Sequence, residues 1–498
     1  MNTQLRHLAV FACVLIAVLI GATVYWQSWA GGELANKQGN AVQLVAQLQI
    51  HRGTIFAADG TRLAWSVPHK KGGMTTYSRR YTTNPAFAQV VTALDQSLSG
   101  YLTGTNTDLT NTLQQEIDRL GGKTVRGNNV VTTLKPGTQT LAEQLLAGRC
   151  GAVIAMNPKT GAVYAMASSP TFNPNLILKP HGQEKIAKIN GTGLCRPGAA
   201  ELNRTTQGLY PPGSTFKMIT ASTGLNTGKV TPYTRFYDPG YCTEYNGQKV
   251  SNSGSPDSPG GVEIFGNVDF STAFAHSINS VFCNLGKQLG ASKILDYAQR
   301  YGFYSSPPLE TPPSTVYPSG LYRFRRRSGR RYLWRPSDPT TQVDVGRLAF
   351  GQDKMLVTPL QMALVSSTIA NGGSEPAPYL VNKVTAPGGA VVNATRPGTL
   401  GRPINPKTAA QLKQMMRLVV QQGTAAGVGF SPSLDVAGKT GTAELNLGNI
   451  YDSWFTAFAP ASNPKVAVAV IVEKQPNGFG ATYAAPIAKA IIENVLHR

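Results

Sequence analysis

Ser214-Thr215-Phe216-Lys217 places a hydroxyl and an amine three residues apart, directly after Pro211-Pro212-Gly213. A serine hydroxyl is a weak nucleophile at neutral pH and attacks only when a neighbouring base takes its proton. The prolines keep the chain extended up to a turn, so Ser214 falls at or near a helix N-terminus. There, free N–H groups and the helix dipole favour a developing anion. Lys217 then shares the helix face of Ser214 and can reach its hydroxyl. Lysine acts as a base only when unprotonated, which requires burial and a like charge close by. The bland alternative is a capping serine beside a solvated lysine. A second S-x-x-K, Ser462-Asn463-Pro464-Lys465, contains a proline and precedes a strand, and reads as a surface turn.

Two further patterns follow in the chain. Ser277-Ile278-Asn279 is the only S-x-N triplet. A hydroxyl and an amide two residues apart can both enter a cleft from a bend between helices; a cap plus a buried amide is the plain alternative. Lys439-Thr440-Gly441-Thr442 lies in a run of strand character. Alternation along it puts Lys439 and Gly441 on one face and Thr440 and Thr442 on the other. Twist or a bulge must then bring at least one threonine toward a ligand. Gly441 allows close approach of a substrate backbone or a neighbouring helix. Lys159-Thr160-Gly161 repeats three of these letters but sits in a turn before the serine. No pattern decides alone; their appearance together, in this order, does.

The elements that must position them are legible in outline. GAVIAM and AVYAMASS, joined by Asn157-Pro158-Lys159-Thr160-Gly161, read as strand–turn–strand. Helical runs follow Pro212 and span about 271–289, and residues 304–340 read as a Pro/Ser/Arg-rich loop. VTPLQMALVSSTIANGG reads as a helix with proline at its start and glycine at its end. Three strands at about 434–444, 453–459 and 466–473 precede a final helix at about 484–496. Helices with a largely antiparallel sheet make an α+β domain over 150–498. Residues 30–149 read as a smaller α+β pedestal. It holds helical runs at 37–50, 105–120 and 138–148 and a hairpin at the Asp59-Gly60 turn signal. Gly122-Lys123-Thr124 imitates the end of a phosphate-binding loop, but Ile117 stands where its first glycine belongs.

The 498 residues carry a formal net charge of +21, which favours polyanions or anionic surfaces. Leu8–Trp26 is 19 residues without a charge, about 28 Å as a helix, flanked by Arg6 and His7 and then by Tyr25, Trp26 and Trp29. Residues 1–29 are therefore expected to be a cytoplasmic stub and single-pass membrane anchor. A cleaved signal peptide is the rival, but no clean A-x-A site follows. An anchor would put the remainder outside the cytoplasm, which argues against nucleic acid as a partner. Cys150, Cys195, Cys242 and Cys283 allow three pairings. Pairs Cys150–Cys195 and Cys242–Cys283 each bracket a modest stretch and are preferred, with four free thiols as the alternative. No C-x-x-C or H-E-x-x-H spacing implies a metal. YRFRRRSGRRYLWR holds seven arginines from Arg323 to Arg335. It reads as a solvated loop or as an electrostatic dock for an anionic wall polymer or lipid.

The motif set, with YPPGSTFK, NPKTGAVYAMASSPTFNPN, GQDKMLVTPLQMALVSSTIANGG and WFTAFAP…KVAVAVIVE, resembles the class B penicillin-binding proteins, monofunctional D,D-transpeptidases, and is most similar to their actinobacterial branch. RGTIFAADGTRLA resembles the family's R-G-x-I-x-D-R-N-G-x-x-L-A, with Ala57-Ala58 in place of the usual Asp-Arg. The resemblance implies a penicillin-recognising serine transpeptidase domain that cross-links peptidoglycan stem peptides and is inhibited covalently by β-lactams. It implies that Ser214 attacks with Lys217 as base, that Ser277 relays a proton, and that Asn279 holds the donor amide. Lys439 would supply positive charge near the substrate carboxylate and help keep Lys217 neutral. Thr440, Gly441 and Thr442 would complete the substrate site, with N–H groups of Ser214 and Thr442 as the oxyanion hole. It implies no cofactor and a SEDS-family glycosyltransferase as partner. A D,D-carboxypeptidase, a β-lactamase and a non-enzymatic β-lactam sensor are the competing expectations.

Overall fold

Apolar runs that do not alternate mark strands covered on both faces. The computed structural model describes residues 3–25, 48–105, 126–196, 198–243, 247, 249–252, 262–326, 329–445 and 447–497. In it these runs form a five-stranded antiparallel sheet, in the order Ala437–Glu444, Ile450–Ala459, Val466–Pro476, Gly151–Met156 and Val163–Ser169. Val466 to Val472 are wholly buried, as are all residues of Gly151–Met156. Such strands need helices against both faces. Pro136–Leu146 and Gly480–Leu496 pack on each other and on the sheet, and Pro359–Ala370 packs on its central strands. Pro359–Ala370 is buried at every position, with Thr358 capping it through a bond from Gln361 N–H at 3.2 Å. It also touches Pro406–Gln421, which packs on the edge strand Ala437–Glu444 and on Lys217–Asn226.

The N-terminal unit holds a second sheet of six strands, in the order Val391–Ala394, Val381–Thr385, Asn129–Thr132, Ile55–Phe56, Arg62–Lys71 and Met74–Tyr81. The Asp59-Gly60 turn joins two of them, with Gly60 at φ +87°. A boundary at 149/150 does not capture this sheet, because its outer two strands come from 381–394. Strand addition across that distance leaves no mark in local composition. The helical runs read at 37–50 and 105–120 lie almost entirely outside the described residues.

Three other features refine the sequence reading. Residues 304–340 are not simply a loop: Gly320–Phe324 pairs with Arg331–Leu333 as an antiparallel hairpin. Disulfides join Cys150 to Cys195 and Cys242 to Cys283. Thr3–Tyr25 forms one helix with Val10, Phe11, Leu15 and Leu19 exposed. Among the described residues, no helix is long and apolar enough to cross a membrane.

Glu375 is buried at the start of a short strand beside Tyr301 and Gly302. Its Oε1 has no hydrogen-bond partner among the described residues. Burial pushes its pKa up to about 8. The folded state therefore retains a proton that the unfolded chain loses near pH 4.5. Stability should fall as pH rises from that value to about 8, at up to about 1.4 kcal/mol per pH unit. Glu375→Gln should flatten this decline in melting curves recorded from pH 5 to 9. An unchanged slope would contradict the assignment.

Candidate active site

The turn before Ser214 is held at every step. Tyr210 exchanges backbone hydrogen bonds with Val357, at 3.0 and 2.8 Å. Its hydroxyl donates to Glu473 at 2.6 Å, and Glu473 pairs with the buried guanidinium of Arg204 at 2.7 Å. Trp454 Nε1 donates to Pro211 O at 2.9 Å, and Gly213 N donates to Gly351 O at 3.0 Å. Gly213 has φ +51°, and a Cβ there would lie 2.7 Å from Thr442 O. Only glycine lets the turn press this closely against the strand carrying Lys439. Ser214 then falls within the short 3₁₀ turn Gly213–Phe216, half-buried, and Lys217 opens the α-helix Lys217–Asn226.

Lys217 and Lys439 are both fully buried and converge on one side chain. Lys217 Nζ donates to Ser277 Oγ at 3.2 Å, and Lys439 Nζ donates to the same oxygen at 2.8 Å. Lys217 Nζ also donates to Ser277 O at 2.6 Å and to Asn279 Oδ1 at 2.7 Å. Ser277 lies between helices Phe270–Ala275 and Asn279–Leu289 at φ +60°, a left-handed conformation costing a non-glycine residue about 1–2 kcal/mol. Hydrogen bonds from Ser277 N to Phe274 O and from Ile278 N to Ala273 O hold it there. No carboxylate pairs with either ammonium among the described residues. Instead the rings of Phe282 and Phe350 flank Lys217, and Phe274 flanks Lys439. Burial, and then the charge of Lys439, hold Lys217 well below the usual lysine range. Burial alone lowers Lys439 to about 7. A neutral amine is therefore accessible at Lys217 near neutral pH, as base catalysis requires.

Some side chains are engaged differently from the expectation. Among the described residues, no hydrogen bond joins Lys217 to the Ser214 hydroxyl; its amine is turned into the Ser277–Asn279 bend. Asn279 is not free to hold a substrate amide in this state: Oδ1 accepts from Lys217, and Nδ2 donates to Ser251 O at 2.9 Å. Thr440 and Thr424 hydroxyls bond at 2.6 Å, and Thr442 Oγ1 accepts from Gly480 N at 3.4 Å. A Cβ on Gly441 would meet Thr215 Cγ2 at 2.8 Å and Pro212 O at 3.1 Å. That glycine admits the nucleophile turn. The two look-alike motifs meet each other on the surface, where Lys159 Nζ donates to Asn463 Oδ1 at 2.7 Å.

Sequence reasoning passed over Arg204, Tyr210, Thr424, Trp454 and Glu473. Glu473 carried a signal, an acidic residue directly after the apolar run Val466–Val472, which in a buried sheet demands a partner. Asp238 was missed too; it accepts from Gly240 N, Phe265 N, Asn252 and Ser280, and so braces the start of the Asn279 helix.

A nucleophile turn, a bend-borne serine and a strand-borne lysine on an antiparallel sheet define a class of active-serine enzyme. The family model for the penicillin-binding protein transpeptidase domain matches residues 151–493, and the chain belongs to that family. The peptidoglycan D,D-transpeptidase PbpA of Mycolicibacterium smegmatis is 32% identical over all of this chain and 99% of that protein. PbpA of Mycobacterium tuberculosis is likewise 32% identical, over 100% of this chain and 99% of its own length. The structure of penicillin-binding protein A from M. tuberculosis as a ceftriaxone acyl-enzyme complex superposes with a TM-score of 0.76 at 30% identity. It covers 91% of this chain and 100% of that one.

The lysine pair sets a pH profile. If Lys217 is the base and Lys439 the cation that meets an anionic ligand, acylation by a β-lactam needs Lys217 neutral and Lys439 charged. The second-order rate constant should rise as Lys217 loses its proton and fall as Lys439 loses its own near pH 7. Lys439→Arg keeps the charge and should move the falling limb to higher pH. A flat profile from pH 5 to 9 would remove Lys217 from the role of base.

Proposed function

We propose that this protein is a peptidoglycan D,D-transpeptidase working through a Ser214 acyl-enzyme that β-lactams trap. The observation that carries this is the chain of contacts from Lys217 through Ser277 to Lys439 beside the half-buried Ser214. Neutral Lys217 takes the Ser214 proton as Oγ attacks the carbonyl of the penultimate D-alanine. Backbone N–H groups of Ser214 and Thr442 receive the oxyanion; one such donor is worth about 3–4 kcal/mol in acyl-transfer enzymes. The proton held on Lys217 passes through Ser277 Oγ to the departing D-alanine amine. The amine of a second stem peptide then attacks the ester carbonyl, forms the cross-link and returns Ser214. Lys439, Thr440 and Thr442 bind the donor carboxylate, and Gly441 keeps the strand against the nucleophile turn. For Asn279 to take the donor amide, its bonds to Lys217 and Ser251 must be exchanged when substrate enters. Loss of the Asn279 bond also frees Lys217 to turn toward Ser214.

Purified protein incubated with a labelled penicillin should carry the adduct on Ser214, and Ser214→Ala should carry none. Labelling elsewhere would sink the assignment. With a D-Ala-D-Ala donor and an added acceptor amine, amide product separates transpeptidation from carboxypeptidase hydrolysis. Absence of either product would favour a sensor.

Residues 1–29 we read as a cytoplasmic stub and single-pass anchor with the catalytic domain outside. The uncharged run Leu8–Trp26 in the sequence supports this. A SEDS-family glycosyltransferase is the partner we propose at the membrane. Deleting residues 3–25 should release the protein from washed membranes and end its co-purification with that partner. Retention of both without the helix would refute the anchor.

A further inference from the structure

The arginine-rich hairpin plays no part in the chemistry above, yet it is built with some precision. Arg323 pairs with Tyr332 across the two strands and Phe324 with Arg331, and pairing continues through Arg325 N to Arg330 O and Trp334 N to Leu321 O. Direct partners share a face and alternate residues face opposite ways. One face of the ribbon therefore carries Arg323, Arg325, Tyr332 and Trp334. On it the Arg323 guanidinium lies 3.4 Å from the centre of the Trp334 ring, and that of Arg325 lies 5.4 Å from Tyr332. Lys354 adds a second cation over Trp334 at 5.6 Å. Around the edge, Arg331 stacks on Phe324 and Arg335 on Tyr304. Among the described residues, no carboxylate forms an ion pair with Arg323, Arg325, Arg331 or Arg335.

Stacking has two consequences. It fixes long side chains that would otherwise lose rotamer freedom on binding. At Arg323, 3.4 Å from its ring, it also covers one flat side of the guanidinium, and the N–H donors lie at the edge, where bidentate contacts to phosphate oxygens form. Arg323 and Arg325 stand two strand positions apart, about 7 Å, a spacing that successive phosphates of an extended phosphodiester chain can match. The rings already carry cations, so they are poor platforms for nucleobases, whose binding relies on open aromatic faces.

We propose that this face of the hairpin binds a base-free phosphodiester polyanion, such as a polyol phosphate polymer. The chain's net charge of +21 supports long-range attraction to it. The site also lies close to the catalytic turn: Gly320–Phe324 pairs with Met355–Leu356, and the next residue, Val357, pairs with Tyr210. A bound polymer would hold the protein with its nucleophile near the polymer's surface.

Full-length protein in detergent is titrated with fluorescently labelled poly(glycerol phosphate). Arg323→Ser with Arg325→Ser should weaken binding about tenfold and reduce the salt dependence by about two counter-ions. Trp334→Leu with Tyr332→Leu keeps every charge and should weaken binding too, because the guanidiniums lose their supports. Arg235→Ser with Arg396→Ser, two exposed arginines elsewhere, should change it less than twofold. All variants should acylate with penicillin at the parental rate, which checks their folding. Equal losses in the control pair would reduce the effect to net charge and overturn the proposal. So would an unchanged affinity in the ring variant. Tighter binding to phosphatidylglycerol vesicles than to the polymer would assign the face to a membrane. Tighter binding to an oligonucleotide of equal phosphate number would assign it to nucleic acid.

Discussion

Two fully buried lysine amines share one serine hydroxyl, and among the described residues no carboxylate pairs with either. Like charges that close repel, and burial raises the cost of each, so the pair is tolerable only when at least one amine is neutral. Everything near the site serves to hold them together despite that cost. The left-handed backbone at Ser277 aims its oxygen between them, and the aromatic rings on either side offer partial compensation. Lys439 cannot retreat, because it stands on a strand paired with Ile450–Ala459 along its whole length. The backbone of Lys217 cannot either, because its helix begins at a turn fastened through Tyr210, Pro211 and Gly213. Rigidity here is what keeps a residue that is ordinarily a cation well below its usual proton affinity.

The order of the three motifs was readable because each needs particular side chains at short spacing. The bend at Ser277 and the strand at Lys439 follow from the same local patterns. So do the sheet's apolar strands and the capped helix after Thr358. What was hidden depends on distance in sequence. Glu473 meets Arg204 across 269 residues, and Thr424 meets Thr440 only because two elements cross. The amide of Asn279 illustrates a different limit. Its type announces hydrogen bonding, but which partner it takes depends on a lysine 62 residues earlier and a carbonyl 28 residues earlier. In the region 304–340, proline and serine content suggested a loop. The alternation of arginine with aromatic residues was the overlooked strand signal.

Cysteine pairing also has a bearing on the site. Cys242–Cys283 ties the strand Tyr241–Thr243 to the helix that begins at Asn279. That strand pairs with Lys249–Ser251, whose last carbonyl receives the Asn279 amide. Asp238 secures the same region through Asn252 and Ser280. A small lobe with little apolar burial is thus clamped covalently and by a buried carboxylate, so the bend keeps its shape.

The sheet of the N-terminal unit is finished by a hairpin from deep in the catalytic half. Thr133 and Leu380, bonded across the junction, stand 247 residues apart. A ribosome reaches the second long after the first has emerged, so the early strands wait with an open edge while most of the catalytic domain is made. The pedestal's sheet is therefore complete only once residues of the catalytic half have been made and folded onto it. Division of the gene at the apparent boundary would leave one fragment with an unpaired edge and the other with an orphan hairpin.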